Sequence, residues 1–294
     1  MANDITLAIS SNPIKNGTVV VNGRFRRCYT GNTSNTINVF MNGNYVDIEP
    51  GNPDGAEGLT VTASINSLGY SYDTFTGISQ ATFARFNGGV LVIPELEEND
   101  LDPDLTAGAR RAIKSFVSNG GTLITFAPDP IFNLLNSVFG FTISTNGVTE
   151  PINLTSSGLS LFPTAPSTIP DNDATVSLDT STLPPDSVTI YEGDGENQSV
   201  VTMIPYGSGK IYVIGWDWYD AAPNGEENGG WLSFLDLILN ASLTPCTNPL
   251  SHGITYDRYV QQYPTIADIQ NKYDERFDDP AYYFGLGNET VVGG

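Results

Sequence analysis

The chain has 294 residues, enough for one large domain or two ordinary ones, and its 39% of hydrophobic residues can fill a core. Its 12 basic and 33 acidic residues leave a net charge of −21, which repels phosphate backbones and argues against free nucleic acid as a partner. One histidine, His252, and two distant cysteines, Cys28 and Cys246, exclude a multi-histidine centre and a CxxC motif, and leave open whether the cysteines are bridged.

The opening stretch "MANDITLAISSNPIKNG" has no basic segment followed by a long apolar one, so no removable secretory signal is expected. No later run approaches the ~20 apolar residues of a membrane-spanning helix. Residues 1–35 read as a β arm, with "DITLAIS" and "GTVVVNGRFRRCYTG" alternating between turn residues.

From residue 36 the pattern changes to strand, helix, strand. "TINVFMNG" reads as a short buried strand, and "DGAEGLTVTASINSLG" as a helix weakened by its threonines and ended at Gly69. "YSYDTFTG" is a second strand, and "SQATFARF" a short helix with Ser79 as its cap. "GGVLVIPEL" is a continuous apolar run, as in a strand covered on both faces. The next helix carries Leu105, Ala109, Ala112, Ile113, Phe116 and Val117 on one stripe. Asp102 followed by Pro103 predicts its start, and Asn119-Gly120-Gly121 its end. "TLITFAP" and "DPIFNLLNSVFG" give one more strand and helix.

The stretch at about 141–190 is rich in Thr, Ser, Pro and Asn and reads as a β or irregular insertion. "SVTIYEG", "SVVTMIPYGSG" and "KIYVIGWDWYD" then resume the sheet, with a tight hairpin at Gly207-Ser208-Gly209. "GGWLSFLDLILNAS" closes the domain as an amphipathic helix. The expected fold is α/β: a mostly parallel sheet with helices on both faces, over residues 36–245. Residues 246–294 form a Tyr-rich appendage.

The series "INVFMNGNYVD", "LGYSYDTFTGI", "GGVLVIPELE", "AIKSFVSNGGTLITF" and "GSGKIYVIGWDWYD…WLSFLDLIL" resembles the class I glutamine amidotransferase-like, flavodoxin-like fold over about residues 36–242. It is similar to the divergent, noncatalytic versions of surface and secreted bacterial proteins. Active members of that family carry a nucleophilic Cys on a strained turn after a strand. Here "TLITF" runs into Ala127-Pro128-Asp129-Pro130, with no Cys or Ser, and the prolines are expected to resist the turn. The resemblance therefore implies the fold without its usual reaction.

Carboxylates are the remaining candidates. Glu95, Glu97, Glu98 and Asp100, with Asp102 and Asp104 beyond, follow a strand's carboxyl end, where such sheets place ligands. Glu95, Glu97, Glu98 and Asp100 are the expected metal ligands, and Ca2+ is the cofactor their oxygens suit. The plainer role is a solvated loop whose last acids face a helix N-terminus. "GWDWYDAAPNGEENGGW" holds all three tryptophans. Trp216, Asp217, Trp218, Asp220, Glu226 and Trp231 are the expected ligand-binding set, since aromatic faces beside carboxylates suit sugar rings. The plainer role for the indoles is core.

Tyr256, Tyr259, Tyr263, Tyr282, Tyr283 and Phe284 are the expected interface residues, because a short segment cannot bury so many aromatics alone. The whole reads as a noncatalytic structural or adhesive component of an extracellular surface or virus-like particle, partnered by itself or by another surface protein. The alternative is a carbohydrate-binding or carbohydrate-active protein.

Overall fold

The computed structural model describes residues 36–243. The expected β arm, the Tyr-rich appendage with Tyr256, Tyr259, Tyr263, Tyr282, Tyr283 and Phe284, both cysteines and His252 lie outside these residues. No helix among the described residues is long and apolar enough to cross a membrane.

Among the described residues, eleven strands form one sheet. In chain order the elements are β1 (Ile37–Phe40), α1 (Glu57–Ser67), β2 (Tyr72–Phe75), α2 (Gln80–Ala84), β3 (Val90–Ile93), α3 (Ala107–Ser118), β4 (Thr122–Phe126) and α4 (Pro128–Phe139). Then come β5 (Thr145–Asn146), β6 (Ile152–Leu154), α5 (Ser156–Leu161), β7 (Thr168–Ile169), β8 (Ser177–Asp179), β9 (Val188–Glu192), β10 (Gln198–Tyr206), β11 (Gly209–Ile214) and α6 (Trp231–Leu243). The sheet order is β2-β1-β3-β4-β11-β10-β9-β6-β7. Its β2-β1-β3-β4-β11 half is parallel. From β11 outward, pairing is antiparallel.

Strand alternation explains the layers. Ile37, Val39, Val90, Val92, Ile124, Phe126, Tyr212 and Ile214 join one apolar cluster with Val61 and Ile65 of α1 and Phe234 and Ile238 of α6. Phe40, Leu91, Ile93, Leu123, Ile211 and Val213 join another with Phe83 of α2, Ile113 of α3 and Leu134 of α4. Side chains at period two thus feed both faces, and each face is covered by helices. A buried side chain of this size contributes about 1.5–3 kcal/mol.

Two expectations are corrected. The long helix begins at Ala107, capped by Thr106 Oγ1, which accepts from the Ala109 N–H at 3.1 Å. Residues Asp102–Asp104 form a separate 3-10 turn instead, fastened by the Arg110 side chain to Asp102. The stretch at about 141–190, expected as a β or irregular insertion, carries short strands β5, β6, β7 and β8, which pair into the main sheet. The prolines do not prevent the sharp turn after β4: Ala127 adopts φ 42 and ψ 101, and the chain passes through an extended Asp129 (φ -103, ψ 120) into the body of α4.

Candidate functional site

The strand order places a reversal between β1 and β3. The chain leaves β1 through α1 on one face and reaches β2 on one side. It then passes through α2 on the other face to β3, on the far side of β1. Open α/β sheets bind ligands at such a crevice, outside the carboxyl ends of the strands. Here the crevice is lined by carboxylates from three chain segments.

The first segment follows β1. The Gly58 N–H donates to the Asp47 carbonyl at 3.0 Å, joining the β1 loop to the first turn of α1. A Cβ on Gly58 would lie 2.8–2.9 Å from Val46, Asp47 and Ile48, so only glycine permits this approach. Glu57, one residue earlier, is thereby held at the start of α1, 3% exposed.

The second segment follows β3. Leu96 is buried in the apolar core, whereas Glu95 is half-buried and Glu97 is exposed. The Glu98 N–H donates to the Tyr45 carbonyl at 3.1 Å, fixing this loop on the β1 loop.

The third follows β11. Trp216 and Trp218 enter the core, and Asp217 between them is only 5% exposed. Asp217 Oδ1 accepts from the Tyr219 N–H at 2.8 Å.

Two overlapping groups result. Glu57, Glu95 and Asp217 bring carboxylate oxygens within 4.8 Å of one another, and so do Asp47, Glu57 and Glu97. Glu57 Oε2 is buried with no hydrogen-bond partner among the described residues. A buried carboxylate oxygen without a partner is costly, because its desolvation is not offset.

The electrostatics follow from this crowding. Desolvation pushes Glu57 up to about 9; its own backbone N–H opposes the rise, and Glu97 and Glu95 add to it. Desolvation also pushes Glu95 up to about 8, helped by Asp217, Glu97 and Asp129. Asp217 rises to about 7 through desolvation, against the Tyr219 N–H and with Asp173, Glu97 and Glu227 adding. Every charged neighbour acting on these three is itself a carboxylate. Protons or cations are the two ways to relieve that repulsion.

Of the expected metal ligands, Glu95 and Glu97 reach the cluster. Glu98 and Asp100 do not belong to either group. Asp100 instead accepts from the Asp102 N–H at 2.9 Å and from Asn133 Nδ2 at 3.0 Å, which makes it a turn residue. Glu57 and Asp47 were not anticipated. The signal available was Glu57 beside Gly58 at the start of a helix following the first sheet strand, but the reversal of strand order is not visible without the topology.

The indole expectation is corrected. Trp216, Trp218 and Trp231 are at most 1% exposed and pack together, with ring centroids 4.6 Å apart for Trp216–Trp218 and 5.8 Å for Trp216–Trp231. Trp218 Nε1 donates to Ser64 Oγ at 2.9 Å, and Trp231 Nε1 to the Pro170 carbonyl at 3.0 Å. As core side chains they offer no face to a sugar ring. Asp220 and Glu226 shape their own loop: Asp220 Oδ1 accepts from the Glu226 N–H at 3.4 Å.

No family model matches this chain, and no curated protein matches it in sequence. Among solved structures, a putative ThuA-like protein from Bacteroides uniformis is 12% identical, covering 77% of this chain and 99% of its own, with a TM-score of 0.48. A cytoplasmic protein from Salmonella typhimurium LT2 is 12% identical, covering 70% and 98%, with a TM-score of 0.46. An exo-β-1,4-mannosidase from Opitutaceae bacterium strain TAV5 is 16% identical over 71% of this chain, with a TM-score of 0.40. The chain spans 36% of that mannosidase's length. These proteins are similar to this chain in their α/β arrangement alone.

Proposed function

We propose that the protein is a noncatalytic binding module whose sheet edge holds a divalent cation of oxygen preference, Ca2+ foremost, through Glu57, Glu95 and Asp217. The observation that carries this reading is the buried Glu57 carboxylate, with Oε2 lacking a partner among the described residues and two further carboxylates beside it. Hard cations take several carboxylate oxygens, and this cluster supplies them from two loops and the first turn of α1. The noncatalytic part of the reading is supported by Ala127, which puts a methyl where a strand–turn–helix elbow carries a nucleophile.

For the whole chain, we extend this to the structural or adhesive role expected from its acidity and aromatic appendage, at an extracellular surface or in a particle. Comparing the solution mass of the full chain with one lacking residues 246–294 tests that extension. An unchanged monomer in both would count against it.

Titration of the full chain with Ca2+, Mg2+ and Mn2+ tests the cation site. At a hundredfold excess over Kd, binding should add ~2.7 kcal/mol, or about 5–11 °C in Tm. The Glu57→Gln variant should lose that gain. A folded wild type that binds none of the three ions would end this reading.

A second reading has its own support. Glu95 and Asp217 are adjacent and titrate near neutrality, as an acid/base pair on a glycosidic bond would. It would need a sugar platform other than the buried indoles. Hydrolysis of aryl glycosides by the wild type and its loss in Glu95→Gln would favour it.

A further inference from the structure

The two carboxylate groups at the switch point share one residue, Glu57. We propose that the site takes two divalent cations side by side, with Glu57 bridging them, one carboxylate oxygen to each. The inference rests on the cation-binding reading above and adds a second ion to it.

Three observations support the pair. First, the ligands divide cleanly: Glu95 and Asp217 lie in one group, Asp47 and Glu97 in the other, and Glu57 is common to both. An ionised carboxylate has two oxygens and enough lone pairs to bind a metal through each. Bridged pairs of this kind sit about 3.5–4 Å apart.

Second, Glu57 is suited to bridge. It is fixed at the first residue of α1, 3% exposed, and its Oε2 has no partner to give up among the described residues. A side chain on the surface would exchange a hydration shell for the metals. This one has already lost its water.

Third, charge favours two ions over one. Asp47, Glu57, Glu95, Glu97 and Asp217 carry −5 when ionised. One divalent cation leaves −3 in the crevice, and two leave −1. In a partly buried site, the remaining repulsion is screened far less than on an open surface.

The two positions are not equivalent. The inner one, between Glu57, Glu95 and Asp217, is mostly desolvated, with two of its three ligands buried. The outer one, between Asp47, Glu57 and Glu97, has a half-buried and an exposed ligand, so its ion keeps more water. The inner ion should bind first and more tightly. The outer ion's remaining positions face solvent and are open to a ligand oxygen.

Metal analysis after equilibrium dialysis of the full chain against Mn2+ or Ca2+ tests this. Wild type should hold two ions per chain at saturation, and Mn2+-loaded protein should show the electron paramagnetic resonance spectrum of a coupled pair. Asp47→Asn should drop the count to one and leave an isolated Mn2+ signal. Glu97→Gln, at an exposed position with no fold to disturb, should do the same. Glu57→Gln should weaken both ions at least tenfold. A count of one in wild type, unchanged by Asp47→Asn and Glu97→Gln, overturns the pair and leaves the single-cation reading intact. Glu57→Gln releasing only one of two ions overturns the bridge. A count of zero overturns both readings.

Discussion

Thr60 Oγ1 donates to the Trp218 carbonyl at 2.7 Å, across 158 residues of sequence, and both residues are buried. The same hydroxyl lies 3.0 Å from the Glu57 carbonyl, one turn back in α1. One side chain therefore ties the helix that presents Glu57 to the loop that presents Asp217. Thr60→Val keeps the shape and removes the tie. It leaves a buried carbonyl unsatisfied, so urea unfolding should show a loss of about 1–3 kcal/mol. Cation affinity should fall as well, although no ligand has changed. Unaltered affinity in a folded Thr60→Val protein would mean that the two segments are held in place by other contacts.

Glu57→Gln should separate stability from binding. The amide removes a buried charge whose charged neighbours among the described residues are carboxylates. Without cations, the variant should be more stable than wild type at about pH 9, where Glu57 is losing its proton. The advantage should vanish near pH 5, where the wild-type carboxyl is protonated. Melting curves in EDTA at both pH values check this. A variant destabilised equally at both would indicate that Glu57 serves packing, not charge.

The pH dependence of the cation-free protein follows from the same shifts. Unfolded Glu and Asp lose their protons at about 4. In the fold Asp217, Glu95 and Glu57 keep theirs to about 7, 8 and 9. Between these limits the folded state binds more protons than the unfolded one, so its stability falls as pH rises. The cluster's contribution is fully present below about pH 4 and is lost as pH passes through 7–9. Cation binding needs the ionised form, so affinity should rise over the same window and binding should release protons. Urea unfolding from pH 5 to 9 should show stability falling in EDTA, while the stability that Ca2+ adds rises. A flat profile in EDTA would mean that these carboxyls are solvated.

The sequence made the sheet's centre legible because burial on both faces leaves a plain signature. "VLVI" and "TLITF" have no polar face, and each is fully buried. Helix α3 was legible through its apolar stripe, but its start was not, since Asp102-Pro103 and Thr106 both resemble caps and only the fold decides between them. The threonines of α1 weaken its helix signal in the sequence. Thr60 and Thr62 instead return hydroxyl hydrogen bonds to Glu57 and Leu59 within the helix. Glu95, Glu97 and Asp217 were visible as acids beyond strands. Glu57 and Asp47 were hidden, because the strand order that brings them beside the others is encoded in no local pattern.

Two glycines that look alike in sequence should respond differently to alanine. Gly140 ends α4 at φ 77 and ψ 31, and a Cβ there would meet nothing within 4 Å. Its requirement is conformational, so Gly140→Ala should cost about 1–2 kcal/mol, and Gly140→Asn less, because Asn tolerates the left-handed region. Gly209 opens β11 beneath the end of α3. A Cβ there would lie 2.1 Å from the Val117 carbonyl oxygen and 2.2 Å from that of Gly121. Both are backbone atoms of packed elements, and neither can step aside as a side chain would. Gly209→Ala should therefore cost about 3 kcal/mol, and asparagine should offer no relief. Since β11 also carries Asp217 beyond its end, a folded Gly209→Ala protein should bind cations more weakly, whereas Gly140→Ala should bind as wild type does. Equal losses at the two sites would show that α3 moves freely over the β10–β11 hairpin.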